Sequence, residues 1–165
     1  MFGSTRVSVF AIALLFWNIE GIAGDIILSS SEPAVLVMAA SQQYNYTPGL
    51  GSEERKQIMN AAREPVSRDI GQRVIFVVDV LQSDGKMAYL QGVPHQSNGE
   101  PLDWTKTHFR EHWMKDAMSD VVMVLLSKRG EQWIVLDYVI GPTDVYWYEW
   151  VQRYNLPESF FNPGG

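Results

Sequence analysis

The sequence predicts an α+β domain in which one helix packs on a curled, four-stranded antiparallel sheet. Three observations carry this. Apolar stretches with strand periodicity come in two pairs, each joined by a turn too short for a crossover helix: Ser83-Asp84-Gly85-Lys86 and Lys128-Arg129-Gly130-Glu131. A capped helical stretch precedes the first pair, a short one separates the pairs, and an aromatic one closes the chain. The 165 residues, 46% of them hydrophobic, suffice for one core that such a helix and sheet can enclose.

The first stretch in order lies outside that domain. Met1–Arg6 carries one positive charge, Val7–Trp17 is an almost unbroken apolar run, and Gly21-Ile22-Ala23 places small residues where a signal peptidase reads. A membrane-spanning helix needs roughly 20 apolar residues, and this run is far shorter. Residues 1–23 are therefore expected to be a signal peptide cleaved after Ala23 or Gly24. The protein would be periplasmic or secreted and meet the membrane only through that peptide. Residues 24–51 read as a partly ordered segment and linker, because Pro33 and the stretch SQQYNYTPGLGS interrupt the apolar pieces Ile26–Leu28 and Ala34–Ala40. Residues 52–165 are the domain.

Within it, Ser52 is a good N-cap, Glu53 and Glu54 set negative charge against the positive end of a helix, and Ile58, Ala61, Ala62 and Val66 make its inner stripe. Pro65 is expected to kink this helix or to start a second short one running to Ile70, with Gly71 closing it. Over Arg73–Gln82, Val74, Phe76, Val78 and Val80 alternate with Ile75, Val77, Asp79 and Leu81. The return strand runs from Met87 to about Val93, where Gly92 and Pro94 suggest an edge or a bulge. A polar loop, His95–Asp103, follows. Phe109, Trp113 and Ala117, spaced by four, then predict an amphipathic helix over Trp104–Met118.

Asp120–Leu126 and Gln132–Ile140 form the second pair of strands. The last is apolar on both alternating faces, with Trp133, Val135 and Val139 on one and Ile134, Leu136, Tyr138 and Ile140 on the other, so both must be covered. Beyond Gly141-Pro142, a helix opened by Thr143 or Asp144 carries Trp147, Trp150, Val151 and Tyr154 as one stripe. Trp133 and Trp150 are expected to meet in a single core. This succession of elements describes the cystatin-like class of α+β folds.

Arg63-Glu64-Pro65-Val66, then Gly71-Gln72 leading into Phe76-Val77-Val78, then Trp133, then Gly141-Pro142-Thr143-Asp144-Val145 before Trp147 and Trp150, together resemble a group of small exported bacterial proteins of unknown function. The resemblance extends from Ser52 to Phe161. It implies a cystatin-like or nuclear-transport-factor-like α+β fold and a periplasmic location, and it transfers no catalytic residue. Lys86 departs from the hairpin residues expected there, and the stretch with His108 and His112 is particular to this chain.

Composition excludes several functions. A net charge of −6 with no basic stripe argues against sequence-independent nucleic-acid binding, and the absence of cysteine removes disulfides, thiolate chemistry and cysteine-rich zinc sites. No nucleophile elbow, phosphate-binding glycine loop or calcium loop is present. His108-Phe109-Arg110-Glu111-His112 has the H-x-x-E-H order of inverted zinc peptidases: on a helix the two histidines would share a face and a zinc ion, with Glu111 as base. A solvated helix face carrying two histidines is the plainer reading, and no cofactor is expected.

Asp79 and Asp137 interrupt apolar strands. As a buried pair they would have raised pKa values suited to acid–base work; facing solvent or bonding a backbone amide they would not. Trp133, Tyr146, Trp147, Tyr148 and Trp150 either line a cavity between sheet and helix or fill the core. The function expected is a non-enzymatic module that binds a small molecule or a protein partner through the concave face of its sheet. Its ligand-binding residues would be Asp79, Asp137, Trp133, Trp147 and Trp150. The alternative is a small metal-dependent hydrolase using His108, Glu111 and His112.

Overall fold

The computed structural model describes residues 45–164. The expected signal peptide, and residues 24–44 of the segment after it, lie outside them. Among the described residues no helix is long and apolar enough to cross a membrane.

Helix α1 (Glu53–Ile70) begins where Ser52 Oγ accepts a hydrogen bond from the Arg55 amide at 3.2 Å, with Glu53 and Glu54 in the first turn. It ends at Gly71, whose φ of 89° is left-handed. Ile58, Ala62, Val66 and Ile70 are completely buried along one face. The helix continues through Pro65 without a second start. Proline inside a helix costs about 3 kcal/mol, while burying Val66 and Ile70 beyond it returns about 1.5–3 kcal/mol each.

Four strands follow: β1 (Val74–Ser83), β2 (Met87–Gln96), β3 (Val122–Arg129) and β4 (Gln132–Ile140). They pair antiparallel in the order β1-β2-β3-β4, an open sheet in an α+β layout. Strand β2 extends past the expected end at Val93, since Pro94 pairs with Phe76 where β3 no longer runs alongside and its missing amide is not needed there. The predicted bulge exists on the neighbouring strand. Val78 pairs with Gly92 and Val80 with Gln91, which leaves Asp79 as the extra residue, and a Cβ on Gly92 would collide with the Val77 carbonyl. A second bulge leaves Leu136 unpaired between Val135 and Asp137 on β4.

These bulges correct the expected faces. Past Asp79, Leu81 instead of Val80 joins the α1 side; past Leu136, Tyr138 and Ile140 join Trp133 and Val135 there, and Val139 moves to the far side. The core is therefore two layers. One lies between α1 and the sheet and contains Val74, Phe76, Leu90, Val122, Val124, Leu126 and Trp133. The other covers the opposite face and contains Tyr89, Met123, Leu125, Trp150, Phe160 and Phe161. Trp133 and Trp150 lie on opposite sides of the sheet and do not share a core.

The short helix expected between the two hairpins is present, but it does not span Trp104–Met118. The connection from β2 to β3 is a single 3-10 turn (Trp104–Lys106) and a five-residue helix α2 (Arg110–Met114). Asp103 caps the 3-10 turn, and Thr107 Oγ1 donates to the Trp104 carbonyl at 2.8 Å, which diverts the chain before a longer helix can propagate. Helix α3 (Trp147–Tyr154) opens at Tyr146, later than Thr143 or Asp144, and turns Trp150 fully inward with Trp147, Val151 and Tyr154 beside it. A 3-10 turn (Glu158–Phe160) completes the second layer.

Residues 45–50, assigned by sequence to the linker, are attached to this unit. Tyr46 and Ser83 exchange two backbone hydrogen bonds of 2.8 Å, and the Tyr46 hydroxyl reaches both carboxylate oxygens of Glu54.

Candidate functional site

Packed side chains cover both faces at the centre of the sheet, while Val77 on β1 and Ile134 on β4 stay exposed. Openings remain at the margins. Where α1 passes the β3–β4 turn, Gln57 and Asn60 face Glu131, Gln132 and Trp133 across a cleft of about 340 Å³. The spacing of three puts Gln57 and Asn60 on one side of α1, beside the buried stripe. Trp133 is only 6% exposed, and its indole Nε1 is buried with no hydrogen-bond partner among the described residues. An unpaired buried N–H costs about 1–3 kcal/mol, so this donor is expensive where it stands.

A neighbouring cleft of about 330 Å³ shares Asn60 and is lined by Gly51, Arg55, Lys56, Met59 and Arg63. Arg63 donates from one terminal nitrogen to Asn60 Oδ1 at 2.6 Å, and its Nε is also buried without a partner among the described residues. Burial, with the charge of Arg73 added, holds the Arg63 guanidinium below its usual range. The amides of Gln57, Asn60 and Gln132, the Glu131 carboxylate and the Arg63 guanidinium thus border two adjoining spaces beside the buried Trp133 indole. Such a set offers donors from the amides and Arg63 and acceptors from the amides and Glu131.

Of the residues singled out by sequence, only Trp133 lies here. Trp150 is completely buried in the far layer, edge-on to Tyr89 at 6.2 Å, and Trp147 stacks on Phe161 at 5.5 Å. They pack. Asp137 accepts from Trp150 Nε1 at 3.0 Å, from Arg153 at 2.9 Å and from the Tyr138 amide at 2.9 Å, and so ties α3 to β4. Asp79 is exposed at its bulge and borders a separate cleft of about 280 Å³ with Thr47, Arg55 and Gln82. The two aspartates stand on opposite edge strands, β1 and β4, and form no pair.

His108 precedes α2, so the two histidines do not project four apart from one helix. Its backbone amide donates to the Ile70 carbonyl at 3.1 Å and its ring Nδ1 to the Asp69 carbonyl at 3.0 Å. These bonds satisfy the open end of α1. A Cβ on Gly71 would come within 2.7 Å of the imidazole. His112 is exposed, and Glu111 approaches Lys115 at 3.8 Å. Among the described residues, no three His, Cys, Asp or Glu side chains are placed to hold a metal ion.

Close to this cap, the Tyr138 hydroxyl donates to Asp69 Oδ2. That bond, followed by the contribution of Arg68, holds the Asp69 carboxyl below its usual range, while burial and then Asp69 raise Tyr138. Gln57, Asn60 and Arg63 were not singled out. Their signal in the sequence was polar residues flanking the apolar stripe of α1, which any surface helix displays. No family model, no curated protein and no solved structure matches the chain.

Proposed function

We propose that the protein is an exported, non-enzymatic binding module of the cystatin-like kind that takes a small, acceptor-bearing molecule between α1 and the β3–β4 turn. The observation that carries this is the Trp133 indole N–H, buried and unpaired at a cleft of about 340 Å³. That volume falls within the usual range for small-molecule sites. A donor already stripped of water loses little on binding and gains a full hydrogen bond, so it favours a ligand over an empty cleft. Export rests on the character of residues 1–23.

A two-dimensional ¹H–¹⁵N spectrum resolves each indole N–H and so tests the site directly. Titration with neutral sugars, carboxylic acids and amides should yield at least one compound that shifts the Trp133 indole peak saturably. The same compound should lose at least about tenfold in affinity for Trp133→Phe, the effect of one good hydrogen bond. Binding unchanged in that variant, or no compound moving the peak, contradicts the proposal.

A further inference from the structure

A second opening lies at the other end of the sheet. In the strand register, Trp133 pairs with Lys128 beside the Met87 end of β2, whereas His95 stands near the far end of the same strand. There, Val93, Pro94, His95, Pro101, Leu102, Trp104, Trp113 and Asp120 enclose a cleft of about 350 Å³. The bridge between His95 and Pro101 closes one wall. Trp104, 4% exposed, is held edge-on by Phe109 and stacks on Trp113 with ring centres 5.7 Å apart and planes 21° from parallel. Trp113 is 37% exposed. The buried indole fixes the outer one, so an aromatic platform stands at the cleft with little side-chain entropy left to lose.

Besides the two indole N–H groups and His95, the polar side chain at this cleft is the Asp120 carboxylate. His95 Nδ1 lies 2.9 Å from the Gly99 carbonyl oxygen, which can only accept, so Nδ1 is the donor of that bond. Asp120 is exposed and has no hydrogen-bond or ion-pair partner among the described residues. No Lys or Arg lines the space. An indole face attracts positive charge through its quadrupole, and a carboxylate beside it adds Coulomb attraction of the same sign.

We infer that the cleft formed by Trp104, Trp113, His95 and Asp120 is a binding site for a small organic cation, an alkylammonium group lying on the Trp113 face with its charge toward Asp120. The net charge of −6 favours approach of such a ligand. This inference does not depend on the Trp133 cleft, which lies at the opposite end of the sheet.

Choline and its uncharged carbon isostere, 3,3-dimethylbutan-1-ol, have the same shape and differ in charge, so they separate cation recognition from apolar burial. The readout is the Trp113 indole peak in the ¹H–¹⁵N spectrum of the unmodified protein. Choline should shift it saturably at concentrations up to about 10 mM, and the alcohol should bind at least about tenfold more weakly. Asp120→Asn, an isosteric change at an exposed position, should weaken choline to a similar degree, and Trp113→Ala should abolish its effect on Trp104. Equal shifts with choline and the alcohol, an unaltered response in Asp120→Asn, or no shift with choline each overturn the inference.

Discussion

Tyr89 stands in the middle of the far layer with no exposed surface, its ring edge-on to Phe161 at 4.9 Å and its hydroxyl donating to Gln91 Oε1 at 2.7 Å. Burial pushes this phenol well above its usual range. The folded protein therefore keeps a proton that the unfolded chain gives up above about pH 10. The resulting stability is complete below that pH and is lost as pH rises toward the folded pKa. Chemical unfolding followed between about pH 9 and pH 11 should show falling stability, with a shallower fall in Tyr89→Phe. Tyr46, Tyr138 and Tyr146 are raised as well, chiefly by burial, and should leave a residual slope. An identical slope in the variant contradicts this role.

The elements were legible where local chemistry decides them. Ser52, Glu53, Glu54 and Gly71 mark both ends of α1 without reference to the rest of the chain, and Asp84-Gly85 and Gly130 mark both hairpins. Alternation along β1 and β4 failed because each strand contains an extra residue, Asp79 or Leu136, and one unpaired residue exchanges the faces of everything beyond it. Trp133 and Trp150 part because α3 packs on the face opposite α1. The closing turn was not legible either. Phe160 and Phe161 follow Pro157 without helical or strand periodicity, yet Phe161 is 2% exposed and contacts Tyr89, Trp147 and Trp150. Phe161→Ala should cost about 3–5 kcal/mol in equilibrium unfolding. Tyr148→Ala, at an exposed position on the outer side of α3, should stay within about 0.5 kcal/mol of the parent. Similar losses in the two variants would mean that the closing turn is not part of the core.

At the scale of the described residues, clefts open at the two ends of the sheet, one beside Trp133 and one beside Asp120. Sequence pointed to Trp133 for its aromatic bulk, but the unpaired state of its N–H depends on what α1 and the β3–β4 turn bring beside it. No spacing along the chain encodes that. Two of the buried tryptophans offer an internal comparison, since Trp150 Nε1 is bonded to Asp137 and Trp133 Nε1 to nothing among the described residues. Replacing either with phenylalanine removes the same ring volume, but only Trp150→Phe breaks a hydrogen bond. Denaturant unfolding of the ligand-free protein should therefore find Trp150→Phe less stable than Trp133→Phe by about 1–3 kcal/mol. Equal losses, or a greater loss in Trp133→Phe, would show that the Trp133 N–H serves the fold and is not kept open for a ligand.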